Sequence, residues 1–217
     1  MIDSEQRHTV RDYNSAANAS GKPPVSFNNE QLVMVDSLDQ VVGYSTKGDA
    51  HSGSGCLHRA FSVFLFDSQQ RLLVHRRSEK KPLWPGFWTN SCCSHPRRGE
   101  GLKAAVHRRI TEELGVTAAA SRAYDFEYRA SYRDKGTEHE LCHVFLAEAL
   151  NTSTLNVHED EIMEWCWLSL QEVDALVRDR PEEVTPWFAL EWQALRGVHA
   201  KTLQTYLQEI EDSRSAA

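Results

Sequence analysis

Apolar positions fall in short runs along this chain, and their period changes from run to run. QLVMVD (31–36) and VVGYST (41–46) are rich in apolar and β-branched residues, with SLDQ between them, which predicts a hairpin. KGDAHSGSGCLH (47–58) is rich in Gly and Ser and reads as loop. RAFSVFLFD (59–67) is aromatic and β-branched, the pattern of a buried strand, and RLLVHRR (71–77) pairs back after SQQ. Pro82, Pro85 and Gly86 then break any regular element. Between Gly101 and Leu114 the period becomes helical: Leu102, Val106, Ile110 and Leu114 recur every fourth residue, and Gly115 supplies a stop. Residues 123–133 and 140–150 read as long strands around KGTEHE, and 164–170 as another. Ser169 with Glu172 forms a capping box for a helix that Pro181 ends, and Pro186 starts a final helical region. This order predicts an α+β fold, a mixed sheet covered by helices, in one domain over 31–212. Residues 1–30 are polar and lack an apolar period, so they read as a flexible tail.

Composition narrows the function. A chain of 217 residues is one domain's length. The net charge of −7 argues against a nucleic-acid binder, yet leaves room for a small basic pocket. Residues 1–20 contain no apolar signal core, and no run approaches the length of a membrane span. Five cysteines, two of them adjacent, make a poor disulfide framework and point to a reducing cytoplasm.

The densest chemistry lies in WTNSCCSHP (88–96), with Cys92, Cys93 and His95 together. Two Cys-x-His pairs, Cys56/His58 and Cys93/His95, suggest a structural zinc site, but zinc knuckles space their ligands more widely. Glu138 and Glu140 would project to one side of an extended strand. Close carboxylates call for a cation or a proton between them. His51, His58 and His95 could complete a His3Glu2 set suited to a borderline divalent metal. The plainer alternative is a solvated acidic turn beside unrelated histidines. Lys47, Arg77, Lys81 and Arg109 form a second set, each ordinary alone, together able to clamp a phosphate.

The helical stretch RRITEELGV (108–116) resembles a Nudix box, with Arg109 where the first box glutamate is expected. With LHRAFSVFLF, KKPLWPGFWTNSCCSHP, YDFEYRA, EHELCHVF and TPWF, the chain resembles the type I isopentenyl-diphosphate Δ-isomerases, of Nudix-like fold, over roughly residues 31–192. The resemblance implies Cys93 and Glu140 as catalytic residues, with Tyr128 bonded to the carboxyl. It implies His51, His58, His95, Glu138 and Glu140 around one tightly held Mn2+ or Zn2+, and Glu113 near a Mg2+ that arrives with the substrate. Lys47, Arg77, Lys81 and Arg109 would contact the diphosphate, and Trp192, with Trp187 as its rival, would line the site. The partner would be a small isoprenoid diphosphate, and the protein a cytoplasmic monomer or weak homodimer.

The implied reaction moves a double bond through a tertiary carbocation. It needs two acid/base groups and an aromatic, water-free wall. Nearby cations would favour the thiolate of Cys93. A Nudix diphosphate hydrolase is the enzyme alternative, and a zinc-organised binding module the non-enzymatic one.

Overall fold

The apolar runs become strands and the four-residue period becomes a helix in a computed structural model that describes residues 14–15, 22–150 and 155–215. The order is β1 (Asn14–Ser15), β2 (Gln31–Val35), β3 (Val41–Thr46), α1 (Lys47–Ala50), β4 (His58–Phe66), β5 (Leu72–Arg77), β6 (Trp88–Thr89), β7 (Cys92–Ser94), α2 (Leu102–Leu114), β8 (Ala118–Tyr132), β9 (Gly136–Ala149), β10 (Ile162–Leu168), α3 (Leu170–Asp179), α4 (Pro186–Arg196) and α5 (Ala200–Ser215).

Central β4 pairs in parallel with β9 and antiparallel with β7, which makes the sheet mixed. Strand alternation divides its side chains between two helical layers. Phe61, Val63 and Leu65 pack with Val106 and Ile110 of α2. Ala60, Phe64 and Phe66 pack on the other face with residues of α3, α4 and α5. The sheet is therefore covered on both faces, as expected for an α+β layered domain.

Several boundaries differ from the sequence reading. Residues 47–50 form the short helix α1 inside the expected loop, because Thr46 caps it: its hydroxyl accepts from Asp49 N at 3.2 Å. KGTEHE is mostly strand, since the turn falls earlier and β9 starts at Gly136. Strands β6 and β7 were missed, being only 2 and 3 residues long. Gly115 takes the expected left-handed cap of α2, and Ser169 with Glu172 forms the expected capping box.

Most of the expected tail lies outside the described residues. Residues 22–30 do not behave as a tail. The Val25 carbonyl accepts from Arg109, the Pro23 carbonyl meets His158 Nε2 at 3.0 Å, and Ser26 Oγ accepts from Lys47 at 2.6 Å. The reason is chemical: buried cations and backbone donors recruit oxygens that apolar periodicity does not register. No helix among the described residues is long and apolar enough to cross a membrane.

Candidate active site

Strand pairing assembles the site. His58 on β4 lies beside Glu140 on β9, and Tyr128 on β8 lies across from Glu140. His51 caps the C-terminal end of α1, and the following loop is held against β9. Thr137 N donates to the His51 carbonyl at 2.9 Å, and a Cβ on Gly55 would meet the Thr137 carbonyl at 2.8 Å. His95 follows β7. The three imidazole centroids lie 4.8–5.3 Å apart, and one ligand atom from each of His51, His58, His95, Glu138 and Glu140 lies within 4.8 Å of the others. The five side chains of the expected His3Glu2 set therefore meet at one place, and the solvated-turn alternative fails, since Glu138 and Glu140 are both buried.

The donor set fits a divalent cation. His51 Nδ1 meets the Lys47 carbonyl at 2.6 Å and His58 Nδ1 meets the Cys56 carbonyl at 2.7 Å. Those carbonyls favour the Nδ1–H tautomer, which turns each Nε2 lone pair inward. His51 Nε2 and Glu138 Oε2 are 2.6 Å apart, yet both buried atoms, like His58 Nε2, lack a hydrogen-bond partner. An imidazole lone pair and a carboxylate oxygen held side by side call for a proton or a cation between them. Burial opposes the carboxylate charges, but His51 beside Glu138 and His58 beside Glu140 outweigh it and hold both acids below their usual range. Burial, with His58 and Lys47 next in weight, pushes His95 well down and keeps it neutral. Glu140 Oε1 lies 2.8 Å from His95 Nε2, and Tyr128 donates to Glu140 Oε2 at 2.7 Å.

Beside the cluster is a cavity of about 720 Å3, a volume suited to a small ligand. Its lining includes Cys93, Tyr128, Glu138 and Glu140 together with Lys47, Arg77, Lys81 and Glu161. Adjacent positions on a strand face opposite ways, and Cys92 and Cys93 obey this. Cys93 pairs with Ser62 and reaches the cavity, whereas Cys92 pairs with Val63 and packs under α2. The Cys93 thiol donates to Asn90 Oδ1 at 2.8 Å and lies 3.4 Å from Ser62 Oγ. The expected thiolate is not favoured: burial, reinforced by Glu191, pushes the thiol well above its usual range and keeps it protonated.

Two comparisons place the chain among known proteins. The NUDIX domain family matches residues 57–188. Isopentenyl-diphosphate Delta-isomerase 1 of Photorhabdus laumondii is 41% identical over 165 residues, covering 75% of this chain and 93% of that protein. The chain belongs to the isopentenyl-diphosphate Delta-isomerase family. The family member of Escherichia coli O17:K52:H18 is 37% identical over 181 residues, covering 82% of this chain and 97% of its own. The fold is shared more widely. DR0079 from Deinococcus radiodurans superposes with a TM-score of 0.57 at 24% identity, over 72% of this chain and 92% of that one. The MutT protein from Methanosarcina mazei Go1 gives 0.54 at 18%, over 64% and 93%.

Against this isomerase frame, three expected site residues sit elsewhere. Trp192 does not line the cavity: it stacks on Phe64 and donates to Asp174 Oδ1 at 2.8 Å. Its rival Trp187 does, with Arg77 Cζ 5.2 Å from its ring centroid and its Nε1 anchored on Thr89. The Pro-x-x helix start at 186 puts Trp187 in the first turn, nearest the cavity, and Trp192 more than a turn deeper. Arg109 and Glu113 also lie behind the wall. The Arg109 guanidinium is taken up by Glu113 at 2.5 Å, Glu112 at 3.2 Å, Glu161 at 3.4 Å and the Val25 carbonyl, so it offers the cavity no free edge. Both are buried residues of α2 and neither lines the cavity, although Arg109 bonds to two residues that do, Glu161 and Val25.

Sequence reading missed Glu161, Asn90, Ser62 and the Pro24–Ser26 wall. Asn90 carried a signal, three residues before Cys93 in an already suspect motif. Glu161 carried none, since HEDE (158–161) reads as any acidic turn.

Proposed function

We propose that this protein converts isopentenyl diphosphate into dimethylallyl diphosphate. The observation that carries this reading is the convergence on one cavity of a thiol, a tyrosine-bound carboxyl, an indole and a set of cations. The family relationship agrees with it.

The terminal methylene carbon of the substrate must gain a proton, and C2 must lose one. Cys93 and Glu140 supply the two sites, from different strands. With the thiol protonated and the carboxylate ionised, the pair holds one proton. One member gives a proton and the other takes one, so the pair ends the turnover with the same number. Tyr128 donates to one oxygen of Glu140 and the other lies in the ligand cluster beside His95, which limits the carboxyl to one orientation. Trp187 supplies an electron-rich face for the cationic stage, worth about 2 kcal/mol when desolvated. Lys47, Arg77 and Lys81 hold the diphosphate. Burial, then neighbouring Lys81, lowers the Lys47 amine to about 8, so this cation responds to an arriving anion.

His51, His58, His95, Glu138 and Glu140 would hold one Mn2+ or Zn2+. That ion, when bound, neutralises two close carboxylates and orients Glu140. Mg2+ travels with the substrate diphosphate. Arg109 and Glu113 support this end of the site from behind. The protein acts as a monomer or weak homodimer in a reducing cytoplasm, in keeping with five free cysteines.

The test is incubation of the purified protein with isopentenyl diphosphate and Mg2+. Dimethylallyl diphosphate is the expected product. Release of phosphate or pyrophosphate without isomer would replace this reading with a Nudix hydrolase.

A further inference from the structure

A continuous line of hydrogen bonds runs behind the cavity wall from the Trp187 indole to the Cys93 thiol, and Thr89 is its junction. Thr89, Asn90 and Thr185 are all fully buried. An indole N–H can only donate, so the Thr89 hydroxyl accepts from Trp187 Nε1, at 3.0 Å. It also accepts from Thr185 Oγ1 at 3.0 Å, and its own proton goes to Asn90 Oδ1 at 3.0 Å. A hydroxyl has one donor and two acceptor sites, and here all three are used. Asn90 is fixed in turn. Its Nδ2 donates to the carbonyls of Val63 at 3.1 Å and Cys92 at 3.3 Å, which leaves Oδ1 to face Thr89 and to accept from the Cys93 thiol at 2.8 Å.

Thr185 shows where α4 takes its bearing. It is the N-cap of that helix, yet its side chain makes no capping bond. Its hydroxyl goes to Thr89 instead, and its N–H donates to the Trp88 carbonyl at 2.9 Å. The first turn of α4, which carries Trp187, is therefore tied to β6, and β6 leads directly into the segment that carries Cys93. Trp187 and Cys93 both line the cavity, whereas Thr89 does not. A proton-transfer group and a ring that steadies a cation must both stand correctly to one small substrate. An error of about 1 Å in such placement can cost about a hundredfold in rate.

We propose that Thr89 is a positioning residue for the isomerisation: its hydroxyl holds the Trp187 ring and the Cys93 sulfur in one fixed relation to each other. The inference rests on the isomerase reading given above. It assigns Thr89 to the chemical step and not to substrate capture. Lys47 and Lys81 make no bond to this line, and Arg77, although it lies over the Trp187 ring, is held by the Leu83 carbonyl at 2.9 Å.

The test is steady-state kinetics of the full chain with isopentenyl diphosphate, at matched metal content, together with the indole N–H resonances of its six tryptophans. Thr89→Val keeps the shape of the side chain and removes the hydroxyl. It should lower kcat by about ten- to a hundredfold and change KM by less than about threefold. Its Trp187 indole resonance, assigned by its absence from Trp187→Phe, should move upfield while the other five hold their places. Thr89→Ser, which restores the hydroxyl, should recover most of the kcat and the parental resonance. Thr89→Ala carries the same expectation as Thr89→Val and replaces it should that variant fail to fold. A parental kcat without the hydroxyl, a loss confined to KM, or a Thr89→Ser as slow as Thr89→Val overturns the role of Thr89 and leaves the isomerase reading intact. Absence of dimethylallyl diphosphate from the unsubstituted protein removes the isomerase reading, and this proposal with it.

Discussion

At the scale of single residues, the Cys92–Cys93 pair shows how a motif can mark a place without choosing an atom. The sequence alone announces two adjacent thiols near a histidine, and strand geometry guarantees that they face apart. Only the register decides which one meets the cavity, since Ser62 pairs with Cys93 and Val63 with Cys92. The same limit applies to Trp187 and Trp192, where the helix start was legible but not the direction of each ring. Cys93→Ala should abolish isomerisation with the fold intact. Cys92→Ala should keep most activity and lose stability, on the order of 1 kcal/mol, from a small void under α2. Product assays and denaturant melts on both variants check this. Equal loss of turnover in the two would show that the cavity-facing thiol has no special part.

At the scale of elements, α4 carries more than its aromatic residues. Its buried stripe runs Trp187, Phe188, Glu191, Trp192 and Leu195, so a glutamate occupies a position that helical periodicity reserves for apolar side chains. That anomaly was visible in the sequence, but an acidic residue near a chain's end attracts no notice without knowing which face is buried. Glu191 is fully buried. One oxygen accepts from Cys142 Sγ at 3.4 Å and the other has no hydrogen-bond partner. Burial raises its pKa from 4.5 to about 8, so the folded chain holds this acid neutral. The unfolded chain releases the proton above about 4.5. Between those values unfolding releases a proton, so the stabilising contribution is complete below 4.5 and is lost as pH rises through about 8. At about 1.4 kcal/mol per unit, the full swing has an upper bound of about 5 kcal/mol. Glu191→Gln, which cannot ionise, should be close to the parent in stability near pH 5 and clearly more stable near pH 9. Paired denaturant melts with reductant at the two pH values measure this. A stability difference that does not change with pH would mean that Glu191 is ionised in the fold, or exchanges with solvent.

At the scale of the whole molecule, the ligand cluster joins segments that lie far apart in the chain: α1, β4, the end of β7 and β9. The apolar pattern foretold the sheet and its helical cover, because those follow from local periods. It could not foretell that His51, His58, His95, Glu138 and Glu140 converge, because that depends on β4 pairing in parallel with β9 across the 69 residues between them (67 to 135). The resemblance of EHE and CSH to a known family supplied what periodicity lacked. Bringing two buried carboxylates and three imidazoles together costs stability unless a cation joins them. An ion held by all four segments should therefore stabilise the whole fold by mass action, by about 2.7 kcal/mol at a hundred times its dissociation constant. For a chain of this size that corresponds to roughly 5–10 °C in melting temperature. Exhaustive chelation should lower the melting temperature by about this amount, and added Mn2+ or Zn2+ should restore it. In Glu138→Gln the chelation-dependent shift should shrink, because one charged ligand is gone while the other four remain. Scanning calorimetry on the two proteins, with metal content measured on the same samples, gives the answer. A melting temperature that ignores chelator and metal alike, in protein whose metal content does change, would show that the cluster holds its shape through its own hydrogen bonds, and that the ion is no part of what keeps these segments together.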